Sequence, residues 1–160
     1  MFRRRIVQPE SLGGGLEAKI VQVNRVSKKT AGGNRFGFSV LVVVGDKKGQ
    51  VGVGLGKAPD VTNAVRKGSQ RAQKHMISVP LVGSTIPHEV RVKFGAAKVL
   101  LKPAREGSGV KAGGAVRSVV EAAGITNITS KVLGTKNQAT NVYATFEALK
   151  QLRPQKIRES

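Results

Sequence analysis

The chain has 160 residues, and its 28 Lys and Arg against 9 Asp and Glu give a formal net charge of +19. That excess is well beyond the roughly 2 to 8 units a small domain needs for solubility, and it points to a polyanion, nucleic acid before an acidic membrane surface. With no cysteine and two histidines, disulfides, thiolate metal sites and the usual zinc ligand sets are excluded, and no apolar run approaches the roughly 18 residues of a membrane span.

Residues 1–15 include "MFRRR" and "LGGG" and read as a flexible basic lead, with no apolar signal core behind the arginines. From Glu17 the sequence turns to strand material: "EAKIVQVNRV" (17–26), "RFGFSVLVVVG" (35–45) and "QVGVGLG" (50–56). In the second of these, Phe36, Phe38, Val40, Val42 and Val44 share one face at period two. "GDKKG" (45–49) reads as the hairpin turn between the second and third strands. Pro59 and Asp60 then open a helix whose apolar stripe is Val61, Ala64, Val65, Gly68 and Ala72, with Lys67, Gln70, Arg71 and Lys74 opposite. "SVPLVGSTIP" (78–87) looks like a link between domains.

Beyond it, "HEVRVKF" (88–94) alternates, with Val90, Val92 and Phe94 on one face and Glu89, Arg91 and Lys93 on the other. "KVLLKP" (98–103) is a second strand, "PAREGSGVKAGG" (103–114) a loop, and "AVRSVVEAAG" (115–124) a short helix with Gly124 at its C-cap. "ITNITSKVL" (125–133) is a third strand, and Asn137 caps a last helix carrying Val142, Phe146 and Leu149. The expected class is α+β: a βββα domain over 16–79, a ββαβα domain over 80–152 and a short basic tail over 153–160.

Three stretches invite a chemical reading. Gly52, Gly54 and Gly56 alternate before Lys57. A P-loop would need glycine where Val51 stands and Ser or Thr where Ala58 stands, and the spacing also fails G-x-G-x-x-G. Close packing by another backbone, direct access for a nucleic-acid backbone and, least, a nucleotide site remain as readings of that bare face. "VNRVSKKTAGGNRFGF" (23–38) sets Arg25, Lys28, Lys29 and Arg35 around Gly32 and Gly33, suited to a mobile loop tracking phosphates, or to solvent alone. "PAREGSGVKAGGAVR" (103–117) places Gly113, Gly114, Lys111 and Arg117 at a helix start, where free amides favour an anion, although a tight loop also needs glycine. Scattered acids and isolated His75 and His88 argue against catalysis, and only 4% aromatic residues with no Trp argue against gripping single strands by stacking.

Residues 23–61 and 103–142 closely resemble the bacterial small-subunit ribosomal protein five family, a likeness covering roughly 16–150. The resemblance implies an N-terminal domain like a double-stranded-RNA-binding domain without its first helix and a C-terminal domain of ribosomal-protein-five type. It implies a cytoplasmic, ribosome-bound, non-enzymatic protein without cofactor or metal. Such a protein binds small-subunit ribosomal RNA where the body meets neck and head, beside ribosomal proteins four and eight. It also supports assembly, lines the messenger entry channel and influences decoding accuracy. The family's basic loop maps onto 23–35, its "GxGxGKA" element onto Gly52, Gly54, Gly56, Lys57 and Ala58, and its "EGxGxxAGGA" element onto 106–115; Lys67 joins them on the helix. The chain departs from the pattern at "GDKKG", at Gln138 and in a C-terminus shorter than many relatives. A free-standing double-stranded-RNA chaperone or regulator is the alternative, and a phosphate-handling enzyme a weaker one.

Overall fold

In the computed structural model of the chain, residues 10–11 and 15–153 are described. The first unit is built on β2 (Glu17–Thr30) and β3 (Gly33–Gly45), a long antiparallel pair that β1 (Glu10–Ser11) and β4 (Gln50–Ala58) extend. After β4 come α1 (Val61–Lys74) and β5 (Ile77–Ser78), giving a sheet of order β1-β2-β3-β4-β5. Asp60 caps α1, its carboxylate accepting from the Asn63 amide at 2.9 Å. Val61 is exposed, so the apolar stripe of α1 begins one turn later, at Ala64. Pairing of Glu10 with Ala18 places that part of the expected flexible lead in a strand; residues 1–9 and 12–14 lie outside the described ones.

The run Val40–Val44 shows why this sheet is a middle layer. Val40, Val42 and Val44 pack with Ala64, Val65 and Ala72 of α1, while Leu41 and Val43 belong to a separate cluster on the other side. A strand buried on both faces reads as a continuous apolar run instead of an alternating one, which the period-two reading of 35–45 passed over.

The second unit runs β6 (Val90–Phe94), β7 (Ala97–Pro103), β8 (Val110–Lys111), α2 (Gly114–Ala123), β9 (Ile128–Leu133) and α3 (Gln138–Lys150). Its sheet has the order β6-β7-β9-β8, with β8 parallel to β9 across the α2 connection. The expected loop 103–114 thus contains a two-residue strand, and Ile125 is buried in the turn before β9 instead of starting it. Gly124 takes the left-handed conformation at the C-cap of α2 (φ 90°), and the Asn137 side chain caps α3 through the Ala139 and Thr140 amides. One core takes in Leu41, Val43, Val51 and Val53 of the first sheet, Val116, Val119 and Val120 of α2, Val142 and Leu149 of α3, and Val92, Val99 and Leu101 of the second sheet. The molecule is therefore a four-layer stack: α1, first sheet, the α2–α3 pair, second sheet. α2 is buried nearly all round, as a helix between two sheets must be.

The turn between β3 and β4 docks on α2. Asp46 Oδ1 accepts the Lys48 and Gln50 amides at 2.7 and 3.0 Å, and Lys47 adopts a positive φ of 58°. The turn then points two amides at the helix end: Lys47 N–H donates to Ala122 O at 3.1 Å and Gly49 N–H to Ala123 O at 2.9 Å. Orphan carbonyls at a helix C-terminus need such donors. A Cβ on Gly45 or Gly124 would collide with the Ala122 or Lys47 carbonyl across this junction. The link 78–87 is also held in place: Val79 and Ile86 are buried, and Ser84 O accepts the Thr126 and Asn127 amides at 3.1 Å.

Candidate nucleic-acid interface

The segment expected as a mobile loop is a regular ribbon. β2 and β3 pair as far as Thr30 and Gly33, leaving only Ala31 and Gly32 to turn. Glycine and lysine suggested a loop, but the strand pairing carries through them. β4 pairs with β3 only from Phe38 onward, so the outer third of the ribbon projects beyond the sheet. Lys29, Arg35 and Phe36 are exposed there, and exposed Arg25, at the root of the projection opposite Phe38, lies over the Phe36 ring at 4.5 Å from its centroid. Lys28 faces Arg35 in register. Nothing stands within 4 Å of a Cβ built on Gly32 or Gly33, and Gly33 takes a φ of 124°. The backbone of the turn is open at both glycines.

The alternating glycines resolve differently. α1 crosses directly over them, and a Cβ on Gly52, Gly54 or Gly56 would collide with the carbonyl of Ala72, Gly68 or Ala64. These helix residues recur every four positions and the glycines every two, so one helix face lies along one strand face. All three glycines are buried. The expectation that Gly52, Gly54 and Gly56 offer a nucleic-acid backbone direct access is therefore corrected: their bare face is filled by the protein's own helix. Lys57, beside them, is exposed. Lys67 Nζ donates to Lys57 O at 3.5 Å and Arg71 Nη1 to Leu55 O at 3.0 Å, so α1 cations line the β4 edge in a shallow groove that also includes Gln70 and Lys74.

At the glycine loop, Gly113 is the N-cap of α2 with no side-chain hydrogen bond, and space around Gly114 is open. Lys111 is exposed on β8. Arg117 is engaged already, its Nε donating to Glu121 Oε1 at 2.8 Å, with Lys19 also 3.8 Å from that carboxylate. Reading the sequence missed Asn127, which is buried: its Oδ1 accepts the Gly109 amide at 3.0 Å and its Nδ2 donates to Ser84 Oγ at 2.6 Å. It ties the glycine loop to the link between units. An Asn in a strand-rich stretch carries no signal of such a role.

Among the described residues no group of three or more His, Cys, Asp or Glu could hold a metal ion, and no helix is long and apolar enough to cross a membrane. His88 has a structural task, its Nε2 accepting the Arg153 amide at 2.9 Å. Burial raises the Tyr143 hydroxyl above its ordinary pKa, an effect that the nearby Arg71 charge partly offsets.

These surfaces suit the holding of a polyanion better than the making or breaking of bonds: the class is a basic binding protein of two α+β units. The family model for ribosomal protein S5, N-terminal domain, matches residues 16–80, and that for ribosomal protein S5, C-terminal domain, matches residues 92–159. The small ribosomal subunit protein uS5 of Chloroflexus aurantiacus is 54% identical over 151 residues, covering 94% of this chain and 84% of that protein. The chain belongs to the ribosomal protein S5 family, and its role is structural and ribosomal, not enzymatic.

Proposed function

We propose that this chain is a cytoplasmic, ribosome-bound component of the small subunit. It binds small-subunit ribosomal RNA near the junction of body, neck and head, beside ribosomal proteins four and eight. From there it supports assembly, messenger entry and decoding accuracy. The projecting ribbon carries the reading. Its exposed Arg25, Lys29 and Arg35 lie outside the core clusters, and cations so placed on a protein of +19 serve phosphate contact. Lys28, Gly32 and Gly33 complete that element; Lys57 and Lys67 on the β4 edge, and Lys111, Gly113, Gly114 and Arg117 at the start of α2, are the other contacts assigned.

Sucrose-gradient fractionation of cells tests the assignment. Strict co-sedimentation with small subunits is expected, and a mostly free pool would turn the reading towards a free-standing RNA chaperone. Reversal of Arg25 and Arg35 to glutamate should deplete the protein from small subunits while leaving its melting temperature within a few degrees.

A further inference from the structure

Among the described residues, the four-layer stack leaves one large sheet face uncovered. Leu100, Thr129 and Leu133 share the face of β6, β7 and β9 that points away from α2 and α3, and its cations are Arg91, Lys93, Lys98, Lys102 and Lys131, joined by Lys111 of β8 through its pairing with Thr129. All six are exposed, and none is in an ion pair among the described residues. Glu89, the carboxylate nearest in sequence, precedes β6 at the margin and is in no ion pair among the described residues.

We propose that this open face of the second sheet is a further RNA-binding surface, holding the phosphate backbone of an RNA double helix. The inference rests on the RNA-binding reading above but uses a surface distinct from the ribbon. Three observations fix the class of ligand. Lys93 and Lys98 stand directly opposite each other in register, an arrangement that destabilises a sheet unless an anion lies over it. The cations extend over all four strands, about 14 Å at a strand spacing of about 4.8 Å, a breadth suited to a helix backbone and not to a single small anion. Among the described residues no aromatic ring lies on the face: Phe94 alternates to the other side and stacks on Tyr143 of α3, ring centroids 6.0 Å apart. Sheets that bind single strands present aromatic rings to stack the bases, whereas double-stranded RNA is held through its backbone and 2′-hydroxyls.

The test uses the full chain, an RNA duplex of about 16 base pairs and a single strand of the same length. In the unaltered protein, lysine acetylation mapped by mass spectrometry should fall at Lys98, Lys102 and Lys131 when the duplex is added, and less with the single strand. Separately, Lys98→Gln with Lys131→Gln should make the slope of log K against log salt shallower by about 1.5, from roughly 0.7 to 0.9 per lost phosphate contact. Unprotected lysines, equal protection by the single strand, or an unchanged slope each overturn the inference. A slope unchanged here but shallower in an Arg25→Gln, Arg35→Gln ribbon variant overturns this surface alone. A slope unchanged in both variants also removes the RNA-binding reading.

Discussion

Gly54 of β4 and Gly68 of α1 face each other with no side chain between them. A Cβ on Gly54 would strike the Gly68 carbonyl, and one on Gly68 would come within 2.9 Å of Val42 Cγ2 and 3.3 Å of the Gly56 nitrogen. Gly54→Val should therefore lower stability by about 3 kcal/mol, the upper end of the overpacking range, while Val53→Ile on the opposite face should cost about 1 kcal/mol. Denaturant unfolding checks both. Loss of subunit incorporation by Gly54→Val with normal stability would mean that the strand face meets RNA after all.

The contact between Lys47 and Gly124 joins the two units through backbone alone. Gly124→Ala adds a Cβ where φ is 90° and where the Lys47 carbonyl already sits, so a loss of about 2 kcal/mol is expected. Because one core spans both sheets, the variant should still melt in one transition at a lower temperature. Two separate calorimetric peaks in the unaltered protein would contradict this.

Asn127→Ala should cost about 2 kcal/mol, since it leaves the Gly109 amide without its acceptor and Ser84 Oγ without its donor. Hydrogen exchange at Gly109 is the sharper readout. Slow exchange there after the substitution would show that another group satisfies the amide.

On the ribbon, Lys29→Ala and Arg35→Ala should each change stability by no more than about 0.5 kcal/mol, the range for surface sites away from packing. Together they should flatten the salt dependence of RNA binding by about one unit per contact. A melting temperature that falls sharply would place these side chains in the fold's own contacts instead.

The raised Tyr143 pKa gives an alkaline dependence. The folded protein holds this proton above the ordinary value near 10, so it binds more protons than the unfolded chain in that window. Stability from this group is present below the ordinary value and is lost as pH rises through the folded one. Tyr143→Phe removes the ionisation and keeps the stack on Phe94. The variant should be relatively more stable at about pH 11 than at about pH 9, by comparison of guanidinium midpoints. An equal difference at both pH values would refute the shift.

Much of this architecture was legible because local signals agreed with it. Asp60, Gly124 and Asn137 mark helix ends by side-chain or backbone chemistry that needs no tertiary partner. Period-two glycine marked close approach, but what approached was a helix folded back from the following residues, a tertiary fact that spacing cannot carry. The two-residue strands β5 and β8 are too short to show any period. At the site, the cations of 25–35 were found by charge, yet their strand pairing was hidden because lysine and glycine are also loop residues. The second sheet's basic face was half visible in the alternation of 88–94; its partners on β7 and β9 join it only through the register.

Shared packing also has a consequence for a chain that leaves its synthesising ribosome N-terminus first. When the first sheet and α1 have emerged, Leu41, Val43, Val51 and Val53 still lack the α2 layer that later buries them. Until residues near 123 are outside, that apolar face must stay wet or be shielded by another protein. Nascent chains halted just after α1 should accordingly be the aggregation-prone ones.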